Sequence, residues 1–305
     1  MVSNIIWTKV KFVRNLKGVK FAPRMTDLER QDLLKLCNDA MGQCGLKVQP
    51  LNEMNKDSIN ELYLSEVVSK SFINGDLAYK GYVNIGDVGV EIGGDDHVAI
   101  SAKSNDIFSA YSKAKEIDKQ LCNKLNFAYS DKYGFLSPDI TNIGSGMNIE
   151  AKLLLPSIAQ LNAIQALPKS QDKLTFKIEC LNEKTGLCLV YTSANLGYTE
   201  KQICELTHLY IDNIIKCEIE ASKTLAQEDS DHVLDMNARA KAILKNCINT
   251  SEEEVYFLSG NILTAINSGL EKDVAKDQIN KILNLINLNK NNCKKLIQQI
   301  QKILK

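Results

Sequence analysis

Residues 90–102 read VEIGGDDHVAISA. Apolar residues alternate on either side of a Gly-Gly-Asp-Asp-His run, a pattern that suits a metal loop, a phosphate-cradling loop or a tight turn between two strands. The choice decides whether the chain is an enzyme. A calcium loop needs the D-x-D-x-D spacing, which Asp95, Asp96 and His97 lack, and His208 and His232 bring no ligand pattern of their own, so no metal is expected. A Walker-type loop needs G-K-[ST], and the chain has none. A hairpin turn that holds two strands in register stays open for Gly93 and Gly94, with His97 as a satisfied structural histidine beside it.

The segments around this hairpin set the fold class. Strands are expected in LAYKGYVNI (77–85), HVAISAK (97–103), LTFKIECL (174–181) and GLCLVYTS (186–193), short, partly alternating and separated by glycines. Helices are announced by capping boxes at Thr26 with Glu29, Thr199 with Gln202 and Ser251 with Glu254. Residues 104–126 place Ile107, Tyr111, Ala114, Ile117, Leu121 and Leu125 on one helical face, and 199–226 do the same with Ile203, Leu206, Tyr210, Ile214 and Cys217. The loop TNIGSGM (141–147) is expected to lead into a helix, where its backbone N–H groups would cap or bind an anion. Paired strands followed by helices give an α+β fold, an antiparallel sheet flanked by helices.

No strand pattern follows Glu228, and the tail ends in LNKNNCKKLIQQIQKILK (288–305) with Leu296, Ile300 and Leu304 at helical spacing. The polar AQEDSD at 226–231 is the expected boundary, which gives a first domain over 1–226 and a helical interaction domain over 227–305.

Composition narrows the function classes. Across 305 residues, Lys+Arg and Asp+Glu both number 37, so no net charge favours nucleic acid or an anionic membrane. No segment is long and apolar enough for a membrane span or a secretory signal, and a cytoplasmic location is expected. The nine cysteines include no C-x-x-C pair, as expected of reduced thiols rather than a zinc site or disulfide framework. Arginine occurs only at Arg14, Arg24, Arg30 and Arg239.

Three stretches together carry a family likeness. WTKVKFVRNLKGVKFAPRMTDLE (7–29), GGDDHVAI (93–100) and KYGFLSPDITNIGSGMNIEAKLLLPSI (132–158) resemble the ATP:guanido phosphotransferases. That family includes the arginine and creatine kinases and the bacterial protein arginine kinases. Its patterns S-x-R-x-R-x-x-R-N, N-E-E-D-H-x-R, G-Y-L-T-x-C-P-T-N-x-G-T-G-x-R-A-S and R-G-x-x-G-E recur here in order, over about residues 5–225. The short N-terminus and helical tail look most like the bacterial branch.

The resemblance implies a nucleotide site whose arginines have been replaced. Two family arginines fall on Lys9 and Lys11, a third survives as Arg14, and others fall on Ala99, Asn148 and Glu179. Arginine grips phosphate through a planar fork that lysine lacks. The family's guanidinium-gripping carboxylate falls on Asp95, its cysteine on Asp139, and a second acid on Glu183. Lys9 and Lys11 also suit a solvated strand face, and Trp7 a core position. The implied protein is a pseudokinase with no nucleotide cofactor, acting by binding in protein quality control. Its partner would be a second copy, an active paralogue, or protease or chaperone machinery. The alternative is a divergent protein arginine kinase that uses ATP with magnesium.

Overall fold

The computed structural model describes residues 4–74, 76–288 and 292–304. Its strands are β1 (Ile5–Arg14), β2 (Gln49–Pro50), β3 (Gly81–Ile85), β4 (Val88–Ile92), β5 (Val98–Ser104), β6 (Tyr129–Ser130), β7 (Gly134–Phe135), β8 (Met147–Leu154), β9 (Ser170–Gln171), β10 (Leu174–Asn182) and β11 (Leu187–Ala194). The helices of the first half are α1 (Asp27–Gln43), α2 (Lys56–Ser65), α3 (Lys70–Ile73), α4 (Ile107–Cys122) and α5 (Pro156–Gln160). Those of the second are α6 (Glu200–Glu228), α7 (Ser230–Asn246), α8 (Glu252–Ser268), α9 (Lys276–Leu288) and α10 (Cys293–Leu304). The chain forms two compact units, one of Thr8–Glu150 and Thr192–Thr207, the other of Met1–Trp7, Ala151–Tyr191 and His208–Lys305. It passes between them inside β1, β8, β11 and α6, so the expected boundary at 226/227 falls in the last turn of a continuous helix.

In the unit of residues 8–150 and 192–207, strands neighbour one another in the order β2, β3, β4, β5, β1, followed by the ends of β8 and β11. The opening stretch is an antiparallel hairpin: Val90 faces Ile100, Glu91 faces Ala99 and Ile92 faces Val98. β5 then pairs with β1 from Thr8 opposite Ser104 to Arg14 opposite Val98. Helix α4 covers one face of this sheet with Ile107, Ala110, Ala114, Ile117 and Leu121, all buried and at helical spacing. Asp106 caps it by accepting from the Ser109 N–H at 2.7 Å. A small satellite core of Leu51, Leu62, Val68, Phe72 and Tyr82 holds the short helices α2 and α3.

In the other unit, strands run in the order β8, β11, β10, β9, with the start of β1 beside β8. Ile6, Trp7, Leu154 and Leu187 from these strands join Leu258, Ile262, Ile282, Ile286, Ile297 and Ile300 of the tail helices in one core. Trp7 is a core residue, as its apolar surroundings in the sequence suggest. All three expected caps supply their helix starts; Thr26 with Glu29 and Thr199 with Gln202 bond reciprocally, whereas Ser251 accepts from the Glu254 N–H and the Glu254 carboxylate accepts from the Thr250 hydroxyl.

Two expectations are corrected. TNIGSGM leads into strand β8 rather than a helix, because Met147, Ile149 and Ala151 alternate with Asn148, Glu150 and Lys152 at the period of a strand. Lys9 and Lys11 do not lie on a solvated face: Lys9 keeps only 7% of its surface exposed, because acidic side chains and the chain after α2 cover it.

Candidate functional site

Strand parity puts Lys9 and Lys11 on one face of β1. Facing them are carboxylates. Lys9 Nζ lies 2.7 Å from Glu150 Oε2 and donates to the Glu66 carbonyl at 3.2 Å. Lys11 Nζ lies 3.7 Å from Glu91 Oε2. Glu91 is itself buried and accepts from the Ser69 N–H and, at 2.8 Å, the Ser69 hydroxyl. Lys103 extends the pattern with Glu66 Oε2 at 3.6 Å. Burial pushes the Lys11 ammonium toward neutrality, and the nearby carboxylates of Glu91, Glu150, Asp96 and Asp95 more than offset it, so its pKa is raised. The lysine is held charged by the protein's own acids.

The hairpin loop sends its two aspartates in different directions. Gly93 takes a φ of +77°, and a Cβ there would lie 2.6 Å from the Tyr79 carbonyl oxygen, so only glycine fits. Asp96 points inward, accepting from Asn15 Nδ2 at 2.6 Å and the Ser137 hydroxyl at 2.8 Å. Burial raises its pKa, and those two hydrogen bonds and Lys11 only partly oppose it. Asp95 points outward and accepts from the Ser71 hydroxyl at 2.9 Å. It lines an open cleft of about 410 Å³ with Ala22, Pro23, Arg30, Gly94, Pro138 and Asp139. Asp139 accepts from the Thr141 N–H at 2.9 Å and hydroxyl at 2.8 Å, closing its own turn. His97 is buried; its Nδ1 accepts from the Leu16 N–H at 2.9 Å and its Nε2 lies 2.8 Å from the Lys20 carbonyl. With both nitrogens satisfied and burial lowering its pKa, the imidazole is neutral and structural.

Arg14 falls on the opposite face of β1 from the lysines. Its Nε and Nη2 grip Asp118 of α4 at 2.8 and 3.0 Å, and its Nη1 donates to the Val13 and Ser145 carbonyls. The guanidinium stands 3.6 Å from the centroid of Phe135. Gly146, at a φ of +61°, lets it in, since a Cβ there would lie 2.5 Å from Nη1. Lys115 joins the cluster, 3.0 Å from Asp118 and 2.7 Å from Glu200.

The structure therefore brings Lys9 and Lys11 together and gathers Asp95 and Asp139 at one cleft. Asn148, on the same face of β8 as Glu150, is tied to Asn142 at 2.6 Å and Asn195 at 2.9 Å. Glu179 is exposed on β10 and Glu183 is exposed in the turn after it, both in the unit that holds residues 151–191. Sequence reasoning missed Glu91, Glu150, Asp118 and Glu200. An acid set inside the apolar VEI strand was the signal for Glu91, because a buried carboxylate requires a partner. Strand parity would have separated Arg14 from Lys9 and Lys11. Among the described residues, no group of three or more His, Cys, Asp or Glu side chains is placed to hold a metal ion. No helix among them is long and apolar enough to cross a membrane.

Comparison with known proteins places this arrangement. Residues 30–221 match the family model described as ATP:guanido phosphotransferase, C-terminal catalytic domain. The protein-arginine kinase of Clostridium acetobutylicum is 25% identical over 294 residues, covering 92% of this chain and 86% of that protein. That of Staphylococcus saprophyticus is 26% identical over 258 residues, covering 82% and 76%. The duplicated taurocyamine kinase of Schistosoma mansoni, solved with bound transition state analog components, shares the fold at a TM-score of 0.62 and 19% identity over 70% of this chain. The match takes in 33% of that duplicated chain, about a third of its length. A lombricine kinase structure superposes at a TM-score of 0.58 and 14% identity, over 74% of this chain and 68% of that one.

Proposed function

The chain belongs to the ATP:guanido phosphotransferase family, on its bacterial protein-arginine-kinase branch, and from that premise we propose that it is a degenerate member that acts by binding rather than by phosphoryl transfer. One observation carries the reading: Lys9 and Lys11, to which the motif resemblance gives the places of phosphate-gripping arginines, are already paired, Lys9 with Glu150 and Lys11 with Glu91. A triphosphate entering this face would have to displace two carboxylates from a buried network and leave them facing its own negative charge. Ala99 and Asn148 supply no cation in exchange, and a lysine that stayed would bind as a point charge without the bidentate fork. Loss of one preorganised donor at a developing charge typically costs about 3–4 kcal/mol. Several such losses would remove most of a usual rate enhancement even if strongly non-additive. The donor set does not fit Mg-ATP, so no catalytic step is assigned to it.

The role left to such a chain is recognition of a protein: a second copy, an active paralogue, or quality-control machinery. Millimolar Mg-ATP should leave the melting temperature unchanged, whereas a ligand at ~100 times its dissociation constant would add about 2.7 kcal/mol. A shift of several degrees that disappears in a Lys9→Ala, Lys11→Ala variant would return the chain to the enzymes. Asp95→Asn separates the two readings a second way. Wild-type phosphoarginine formation that vanishes in the variant would identify an active kinase with Asp95 at the guanidinium, while silence from both proteins is the expected result.

A further inference from the structure

Cys180 on β10 and Cys188 on β11 lie on neighbouring strands joined by a short turn, in which the Gly186 N–H donates to the Asn182 carbonyl at 3.0 Å. Leu174, Phe176, Cys188 and Val190, all even-numbered and so on one face of the two strands, are buried. Counted back two residues along each strand from that closing bond, Cys180 stands opposite Cys188, and neither sulfur is in a disulfide. Cys188 is buried, whereas Cys180 is partly exposed.

We propose that Cys180 and Cys188 are a disulfide-convertible pair, with Cys180 as the entry sulfur and a small disulfide of the glutathione type as the oxidant. Cys180 thiolate attacks the small disulfide, forming a mixed disulfide and releasing one thiol. Cys188 then gives up its proton and attacks the Cys180 sulfur, breaking the mixed bond and expelling the second small thiol, which takes a proton. Two protein thiols are oxidised to one disulfide, and one small disulfide is reduced to two thiols. Burial, with the adjacent Cys180 sulfur and then Glu218, raises the Cys188 thiol well above its ordinary range, so closure is the slow step. Its rate should rise about tenfold per pH unit below that range, in step with the thiolate fraction.

The cross-link closes only a short loop, so it restrains the unfolded chain little. Its effect should be local, as slower hydrogen exchange across the β10–β11 hairpin. The test treats the native full-length protein with oxidised glutathione and maps its cysteines by mass spectrometry. The exposed Cys122 and Cys217 serve as controls for oxidant access. A peptide cross-linked through Cys180 and Cys188 is expected, appearing faster at higher pH. Cys188→Ala should trap a stable glutathione adduct on Cys180, and Cys180→Ser should leave Cys188 unmodified. A glutathione adduct that persists on wild-type Cys180 would overturn the proposal, as would two free thiols at these positions after Cys122 and Cys217 have reacted. If Cys188→Ala does not fold, wild type and Cys180→Ser are enough to decide between a cross-linked pair and two independent thiols.

Discussion

Glu150 and Arg14 show how one residue fixes what a strand face can do. Glu150 neutralises Lys9 at 2.7 Å, and both side chains are largely shielded. Glu150→Gln should therefore lower stability by about 1–3 kcal/mol, the cost of an under-satisfied buried polar group, seen as a lower urea midpoint. If the paired carboxylates are what exclude a nucleotide, the double change Glu150→Gln, Glu91→Gln should raise the Mg-ATP-dependent stabilisation above that measured for wild type. Two neutral amides with no nucleotide response would place the exclusion elsewhere. Arg14→Lys tests the other face of β1. Lysine cannot make the two-pronged contact with Asp118 or stack on Phe135, and breaking a buried pair costs about 3–5 kcal/mol. A loss under about 1 kcal/mol would mean the pair is no more than a surface-type contact.

At the scale of elements, α5 starts on a buried carboxylate from α6. Glu218 accepts from the Ser157 and Ile158 N–H groups, each at 2.9 Å, and Ser157 also bonds Ser222 and Thr264 through its hydroxyl. Burial raises the Glu218 pKa from 4.5 to about 7, with those N–H donors opposing the shift. The folded state thus keeps a proton that the unfolded chain releases, so stability falls as pH rises from 4.5 to about 7. Glu218→Gln should flatten that part of the stability profile. Urea midpoints with the same slope in both proteins would assign the pH dependence to another group, such as Asp96, whose pKa is also raised.

For the whole molecule, the tail helices are core material of the unit they belong to. Val255, Leu258, Ile262 and Leu263 of α8 pack in one cluster with Ile6, Trp7, Leu154 and Leu187. Ending the chain near Ala226 would uncover these four strand residues, and burial of a large apolar side chain is worth about 1.5–3 kcal/mol each. The truncated chain should aggregate or show a red-shifted emission from Trp7, the single tryptophan. A soluble, cooperatively melting protein with native Trp7 emission would instead make 227–305 a separable domain.

The sequence alone determined the hairpin strands, the long helices and the family. Alternation around GGDDH, the capping boxes at Thr26, Thr199 and Ser251, and the helical spacing of α4 and α6 are local signals, and a residue reads them from neighbours within a few positions. The motif order likewise needed no coordinates. The tertiary structure decided the charge state of the candidate site. Lys9 and Lys11 meet Glu150 and Glu91 only because β8 and β4 bring distant acids onto one face, and nothing at positions 9 or 11 specifies those partners. It also decided that 141–147 enters a strand, where a loop ahead of a helix was expected and period-two packing prevailed. Local spacing sets backbone conformation, whereas the electrostatics of a buried site depend on long-range neighbours, so the sequence disclosed the fold and the structure disclosed that its cations are already paired.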